Sequence, residues 1–254
     1  MGRLRDRRRP PPRPGRVRAV LLDAFGTLVT LDAPAPRLRA LLGERLGVDV
    51  TDEQAARAFA VEVSYYRAHM HEGVDLERVA GLRARCAEVL RAALPSEQRL
   101  AAATPETITA LLLDSLSFSA FPEAAEALAR LRAGGLRLVV ASNWDASLGA
   151  VLDGVGLLDA VDGVVASAAV AAAKPDPRLL ESALMLAGVA PSAALHVGND
   201  FREDVGAALG AGVRPVLLSR DGRAGEVEYG PEEPTLPELL VIRTLAGLPA
   251  LLGL

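Results

Sequence analysis

Asp23 closes an apolar run, Ala19 to Leu22, and is followed by Ala24-Phe25-Gly26-Thr27-Leu28. A lone carboxylate is expensive to bury, so its place at the end of such a run needs a reason. It reads either as the first residue of a turn or as a nucleophile or metal ligand delivered at a strand end. Three further stretches carry matching chemistry. Ser142-Asn143 follows the apolar run Leu136–Ala141, and Asp200 follows Ala193–Val197 by way of Gly198-Asn199. Asp204 lies one helical turn beyond Asp200, and Lys174 stands before Pro175-Asp176-Pro177. Together these groups would equip a Mg²⁺-assisted phosphoryl-transfer site. Carboxylates hold a hard cation that prefers oxygen ligands. Hydroxyl, amide and backbone N–H groups grip phosphoryl oxygens, and an ammonium neutralises developing negative charge. Each residue also has a plain structural reading. Ser142-Asn143 suits an ordinary turn, Asp200 a helix N-cap, and Asp204 a helix-face charge.

The elements that would position these groups follow from the apolar pattern. Val17–Asp23, Leu136–Ala141, Val161–Ala166, Ala193–Val197 and Arg214–Leu218 read as strands. Helices are expected over Glu123–Ala133, Ala146–Val155, Lys174 to about Ala187, and Glu203–Ala211. Strand and helix alternate, which predicts an α/β fold, a Rossmann-like parallel sheet with helices on both faces. The carboxyl ends of parallel strands share one edge, so Asp23, Ser142-Asn143 and Asp200 can converge there, with Lys174 in reach. Ala24–Leu31 reads as a loop. From about Arg37 to Ser117 the pattern is helical, as in Leu38, Leu41, Leu42 and Leu46, and the stretch is too long for a loop. Thr51-Asp52-Glu53 and Thr104-Pro105-Glu106 read as helix starts. The expected division is a leader over 1–16, an α/β core over 17–32 and 119–254, and an all-helical insertion over 33–118. Leu236–Leu252 has the spacing of a short closing helix.

Composition narrows the function classes. The leader holds seven arginines, one aspartate and the run Pro10-Pro11-Pro12, so it should be extended or disordered. Net charge is −4, but the leader contributes +6, leaving −10 on the rest. An acidic body argues against nucleic acid as a partner. No apolar run approaches a membrane span, and the leader lacks the apolar segment of a secretory signal. One cysteine, Cys86, excludes an internal disulfide framework and fits a reducing cytoplasm. Of 28 basic residues 27 are arginine, and the single lysine is Lys174. A lysine kept in an arginine-dominated chain suits a site that needs a compact point charge. Oligomeric state stays open.

The four stretches, in this order, resemble the motifs of the haloacid-dehalogenase-like hydrolase superfamily. Asp23-Ala24-Phe25-Gly26-Thr27-Leu28 is similar to its first motif, Asp-x-Asp-Gly-Thr-Leu. Ser142-Asn143 resembles the second, Lys174-Pro175 the third, and Gly198-Asn199-Asp200-Phe201-Arg202-Glu203-Asp204 the fourth. The helical insertion falls where subfamily I of that group carries its C1 cap. The resemblance implies a nucleophilic Asp23 that forms an aspartyl-phosphate on a small phosphorylated substrate. It implies Mg²⁺ held by the Asp23 carboxylate, the backbone carbonyl of Phe25 and Asp200, with Asp204 supporting the metal through water or orienting Lys174. It implies phosphoryl binding by Ser142, the backbone beside Asn143, and Lys174, with Thr27 fixing the loop.

One position departs from the pattern. The superfamily's phosphatases carry a second Asp two residues after the nucleophile, which protonates the leaving group. Phe25 stands there, and general acid–base help is worth roughly 10²–10⁴-fold. Three readings follow. The chain is a phosphatase for good leaving groups, or one that recruits an acid/base from the insertion, where Tyr65, Tyr66, Arg67, His69 and His71 cluster. Or it is a metal-independent 2-haloacid dehalogenase, a group that resembles this chain in carrying an aromatic at the Phe25 position. Arg57 and Arg67 would then be the candidates for the substrate carboxylate. Or it is a weak or inactive phospholigand-binding member of the fold.

Overall fold

A computed structural model of the chain describes residues 17–220 and 239–254. The Arg/Pro-rich leader lies outside them. Strand β1 (Ala19–Leu22) is fully buried and is followed by β2 (Val29–Leu31). Five helices come next: α1 (Pro34–Leu46), α2 (Asp52–His69), α3 (Leu76–Ala93), α4 (Gln98–Ala102) and α5 (Pro105–Ser115). Strand β3 (Phe118–Ala120) then pairs antiparallel with β2. The remainder runs α6 (Ala124–Ala133), β4 (Arg137–Ser142), α7 (Leu148–Gly154), β5 (Gly163–Ala166), α8 (Ser167–Val170), α9 (Arg178–Ala187) and β6 (Ala194–Gly198). After a π-helical turn, Phe201–Val205, it continues through α10 (Gly206–Gly210), β7 (Arg214–Leu218), β8 (Leu240–Ile242) and α11 (Gly247–Leu251).

Six strands form one parallel sheet in the order β5-β4-β1-β6-β7-β8. The expected Rossmann-like α/β architecture is therefore present. β1 sits between β4 and β6, so the chain builds outward first on one side of β1 and then on the other. A reversal of that kind opens a crevice at the strands' carboxyl ends. Alternation along each strand splits the core in two. Val20, Leu22, Leu138, Val140, Leu195 and Val197 pack with α6, α7 and α11. Ala19, Leu21, Val139, Ala141 and Ala194 pack with α9 and α10.

The five-helix insertion has a core of its own, built from residues such as Leu38, Leu42, Phe59, Leu82, Leu90, Ile108 and Leu112. Both expected helix starts are present. Thr51 and Gln54 make a reciprocal capping box, and Thr104 accepts from the Thr107 amide ahead of Pro105. Pro34 occupies the first turn of α1, where its missing N–H costs nothing.

Four expectations are corrected. Val29–Leu31 is a strand rather than loop, because Phe118–Ala120 supplies its hydrogen-bonding partner from far along the chain. The helix expected from Lys174 begins at Arg178, so Lys174 lies in the preceding loop. Glu203–Ala211 is divided between the π-helical turn and α10. In the tail, where 236–238 lie outside the described residues, Leu240–Ile242 joins the sheet beside β7, and among the described residues only Gly247–Leu251 is helical. No helix among the described residues is long and apolar enough to cross a membrane.

Candidate active site

β1, β4 and β6 are adjacent and in register, with Leu22 opposite both Val140 and Val197. Asp23, Ser142 and the segment from Gly198 onward therefore leave the sheet side by side. Asp23 is buried, and its amide continues the ladder by donating to Val197 O at 2.9 Å. Its Oδ1 accepts from Ser142 Oγ at 2.9 Å and from Lys174 Nζ at 2.5 Å. No described residue hydrogen-bonds its Oδ2. Lys174, 4% exposed, gives a second bond to Asp204 Oδ1 at 2.6 Å. Four of the expected residues, Asp23, Ser142, Lys174 and Asp204, thus meet in one buried cluster.

Electrostatics follow from that packing. Burial works against charge on Lys174, but Asp23 and Asp204 more than offset it and hold the ammonium above its ordinary pKa. Burial also opposes ionisation of Asp204, yet Lys174 and His196 hold its carboxyl well below the usual range. Burial raises Asp23, Lys174 counteracts, and the Asp204 charge raises it further. Glu203, beside them, is raised by burial and then by Asp200. Asp23, Glu203 and Asp204 act on one lysine, and Asp200 lies beside Glu203.

The other expected residues take more specific places. The Asn143 side chain clamps the Lys174 loop: Oδ1 accepts from Lys174 N at 2.7 Å, and Nδ2 donates to Lys174 O and to Glu203 Oε2, each at 3.0 Å. With both ends committed, its side chain is a brace rather than a phosphoryl ligand, which leaves only the backbone for that role. Thr27 is fully buried and donates to Asn199 Oδ1 at 3.3 Å, so it fixes the loop and does not face a ligand. Gly26 holds φ at +79°, and a Cβ there would stand 2.6 Å from Asn199 Nδ2, so both backbone and space demand glycine. Asp200 is exposed, and its Oδ1 accepts from the Glu203 amide at 2.8 Å, the N-cap geometry anticipated for it. Of the two roles expected for Asp204, supporting a metal through water or orienting Lys174, its contacts correspond to the second. Its Oδ1 serves Lys174 and His196, and its Oδ2 accepts from Asp200 N at 2.9 Å.

The donors left for a cation are Asp23 Oδ2, Asp200 Oδ2 and the Phe25 carbonyl, none of which accepts a hydrogen bond from a described residue. Among the described residues no three His, Cys, Asp or Glu side chains gather in a metal-holding group. Two carboxylates and one carbonyl fit a small hard cation that retains several waters, such as Mg²⁺, and do not fit zinc or another thiophilic ion.

Phe25 projects at this mouth, 42% exposed, with its ring 6.4 Å from that of Trp144. From the insertion, the expected aromatic and histidine cluster divides. Tyr66 alone among those residues reaches across, donating to Asp145 Oδ2 at 3.1 Å. Tyr65 stacks on His69 at 4.0 Å, while Arg67 and His71 are exposed. Arg57 pairs with Glu53 on an exposed face of α2.

Sequence reasoning missed Asp145, Arg83, His196, Glu203 and Arg220. Asp145, 0% exposed, lies three residues past Ser142 and accepts from Arg83 Nη2 at 2.9 Å as well as from Tyr66. Arg220 donates to the carbonyls of Gly26 and Thr27 at 3.2 and 2.9 Å and stacks on Phe121 at 3.5 Å, bracing the loop after Asp23. Asp145 and His196 left a sequence signal, a polar residue in or beside an apolar strand. Arg83 and Arg220 left none, because arginine is the default cation throughout.

Comparison with known proteins agrees with this layout. Haloacid dehalogenase-like hydrolase domain-containing protein 3 from Homo sapiens is 28% identical over 231 residues, 88% of this chain and 91% of that protein. In the Bos taurus counterpart the match is 41% identical but spans 39% of its length. A phosphoserine phosphatase from Thermus thermophilus is 37% identical over 128 residues, 50% of this chain and 51% of that protein. A solved dehalogenase structure is 26% identical, covering 92% of this chain and 96% of its own, with a TM-score of 0.62. The haloacid dehalogenase-like hydrolase family model matches residues 17–212, the span that holds Asp23, Ser142, Lys174, Asp200 and Asp204, and the chain belongs to that family.

Proposed function

We propose that the chain is a phosphatase-type hydrolase that uses Mg²⁺, acts on a small phosphorylated molecule and passes through an aspartyl-phosphate on Asp23. The observation that carries this reading is charge. Three carboxylates, Asp23, Glu203 and Asp204, interact with the one ammonium of Lys174, and Asp200 adds a fourth negative charge beside Glu203. Such a cluster repels a phosphoryl group unless a cation joins it. Asp23, Asp200 and the Phe25 carbonyl would hold Mg²⁺, which when bound supplies the positive charge that draws phosphoryl oxygens toward the carboxylate. Asp23 Oδ2 attacks phosphorus while Ser142 and Lys174 hold Oδ1. The bond from phosphorus to the leaving oxygen breaks, and that oxygen departs with the electron pair. Water then attacks the acyl phosphate, releasing orthophosphate and restoring the carboxylate. The five-helix insertion serves as a cap over the crevice, and Phe25 directs the enzyme to leaving groups that depart without a proton. Cys86 is buried and free, and burial pushes its thiol up to about 12, in keeping with a reducing cytoplasm.

A second reading has an observation of its own. The exposed Phe25 ring beside Trp144 offers an apolar wall, which suits displacement of halide from carbon by Asp23 without metal. Hydrolysis of an aryl phosphate and of 2-chloropropionate, each with Mg²⁺ and with EDTA, separates the two. Phosphate release that needs Mg²⁺ and vanishes in Asp23→Asn supports the proposal. Metal-independent halide release replaces it with the second reading. Silence in both, with orthophosphate still raising the melting temperature, makes the chain a phospholigand-binding member of its family.

A further inference from the structure

His196 lies inside β6, on the side of the sheet that Ala194 shares under α9 and α10. It is 1% exposed. A polar ring there needs a partner, and only one nitrogen has one. Nε2 stands 3.0 Å from Asp204 Oδ1, while Nδ1 has no partner among the described residues. That asymmetry sets the tautomer. An ionised carboxylate only accepts, so Nε2 carries the hydrogen. A hydrogen on Nδ1 would be an orphan donor in an apolar core. The imidazole serves as a single-purpose donor to Asp204.

Asp204 is pinned from every side. Its carboxylate rests on Gly198, where a Cβ would stand 2.1 Å from Cγ. Asp200 N holds Oδ2, and His196 and Lys174 share Oδ1. Lys174 has a flexible four-carbon stem and three rotatable donors, so its aim depends on the acceptors that hold it. Those acceptors are Asp204 and Asp23.

We infer that His196 is a positioning residue that fixes the Asp204 carboxylate and, through it, aims the Lys174 ammonium at Asp23. The inference rests on the reading of Asp23 and Lys174 as reacting groups. A histidine serving only as core filler would be replaced by leucine without consequence for Lys174.

Lys174 is the single lysine of the chain, so protein labelled with ¹⁵N-lysine gives one Nζ signal. That signal is compared in the full-length wild type, His196→Leu and His196→Gln, alongside kcat and KM for an aryl phosphate and the melting temperature. In His196→Leu the Nζ signal shifts or is lost to exchange with water, and kcat falls roughly 10–100-fold, as when partners that orient a ligand are removed, with KM little changed. His196→Gln, whose amide nitrogen reaches the Nε2 position, restores both. If His196→Leu does not fold, His196→Asn, polar but too short to reach Asp204, takes its place. An unchanged Nζ signal in the folded variant overturns the inference, as does failure of His196→Gln to restore it. Should the wild type release no phosphate, the Nζ comparison still decides the role of His196, and only the phosphatase reading falls.

Discussion

Phe25 is the residue on which the reaction class turns. Its side chain is exposed at the mouth, so an exchange there disturbs little packing. Phe25→Asp restores the carboxylate that phosphatases of the family carry and is expected to raise aryl or alkyl phosphate turnover, by as much as ~10²-fold. Steady-state kinetics with Mg²⁺ check this, and no rise at all would remove Phe25 from the account of the missing acid. Glu62 gives a prediction of a different kind. It is 3% exposed in the insertion beside Cys86, and burial raises its carboxyl above the ordinary 4.5, with Cys86 and Arg83 pulling the other way. The folded state then holds the proton more tightly than the unfolded one. Stability from this group is lost as pH rises from about 4.5 through the raised pKa. Glu62→Gln is expected to melt higher than wild type at pH 8, the gap closing toward pH 4, in paired thermal scans.

At the scale of elements, the loop after β4 does two jobs within four residues. Ser142 and Asn143 brace Asp23 and Lys174, and Asp145 ties the same loop to the insertion. Tyr66 comes from α2 and Arg83 from α3, with the guanidinium 4.6 Å from the Tyr66 ring centroid. Gly73 also accepts from the Ala146 amide at 2.8 Å. The seat of the insertion is thus coupled to the residues that hold the nucleophile. Removing one member of a buried ion pair costs about 3–5 kcal/mol because the other is left uncompensated. Asp145→Ala should lose about that much stability in urea titrations, whereas Arg57→Ala, which breaks only an exposed pair on α2, should lose under about 0.5 kcal/mol. Equal losses in both would mean that Asp145 does not anchor the insertion.

Across the whole molecule, acidic charge concentrates at the carboxyl edge of the sheet while Lys174 is the one ammonium there. Mg²⁺ bound there as proposed would relieve repulsion in the folded state alone. Saturating Mg²⁺ is therefore expected to raise the melting temperature, by roughly ΔΔG = RT ln(1 + [L]/Kd) at the transition. Asp200→Ala should lose most of that shift while keeping the fold, and a full shift in Asp200→Ala would move the cation elsewhere.

The sequence by itself determined five strands of the six-stranded sheet and the residues at its edge. Apolar runs of four to six residues bounded by Gly, Pro and Asp specify strands locally, and a carboxylate or lysine at a strand end stands out against such a run. Asp23 and Ser142 were legible as polar residues at strand ends, and Lys174 as the one lysine among 28 basic residues. The tertiary structure alone decided what each polar group is committed to. Asn143 is a brace and Asp204 a saturated anchor because donors from distant parts of the chain, the Lys174 loop and His196, reach them. β2, β3 and β8 are three residues each, too short to carry a period, and exist because a partner strand supplies their hydrogen bonds. Arg83 and Arg220 were invisible among 27 arginines, since sequence records a charge but not which buried acceptor it meets.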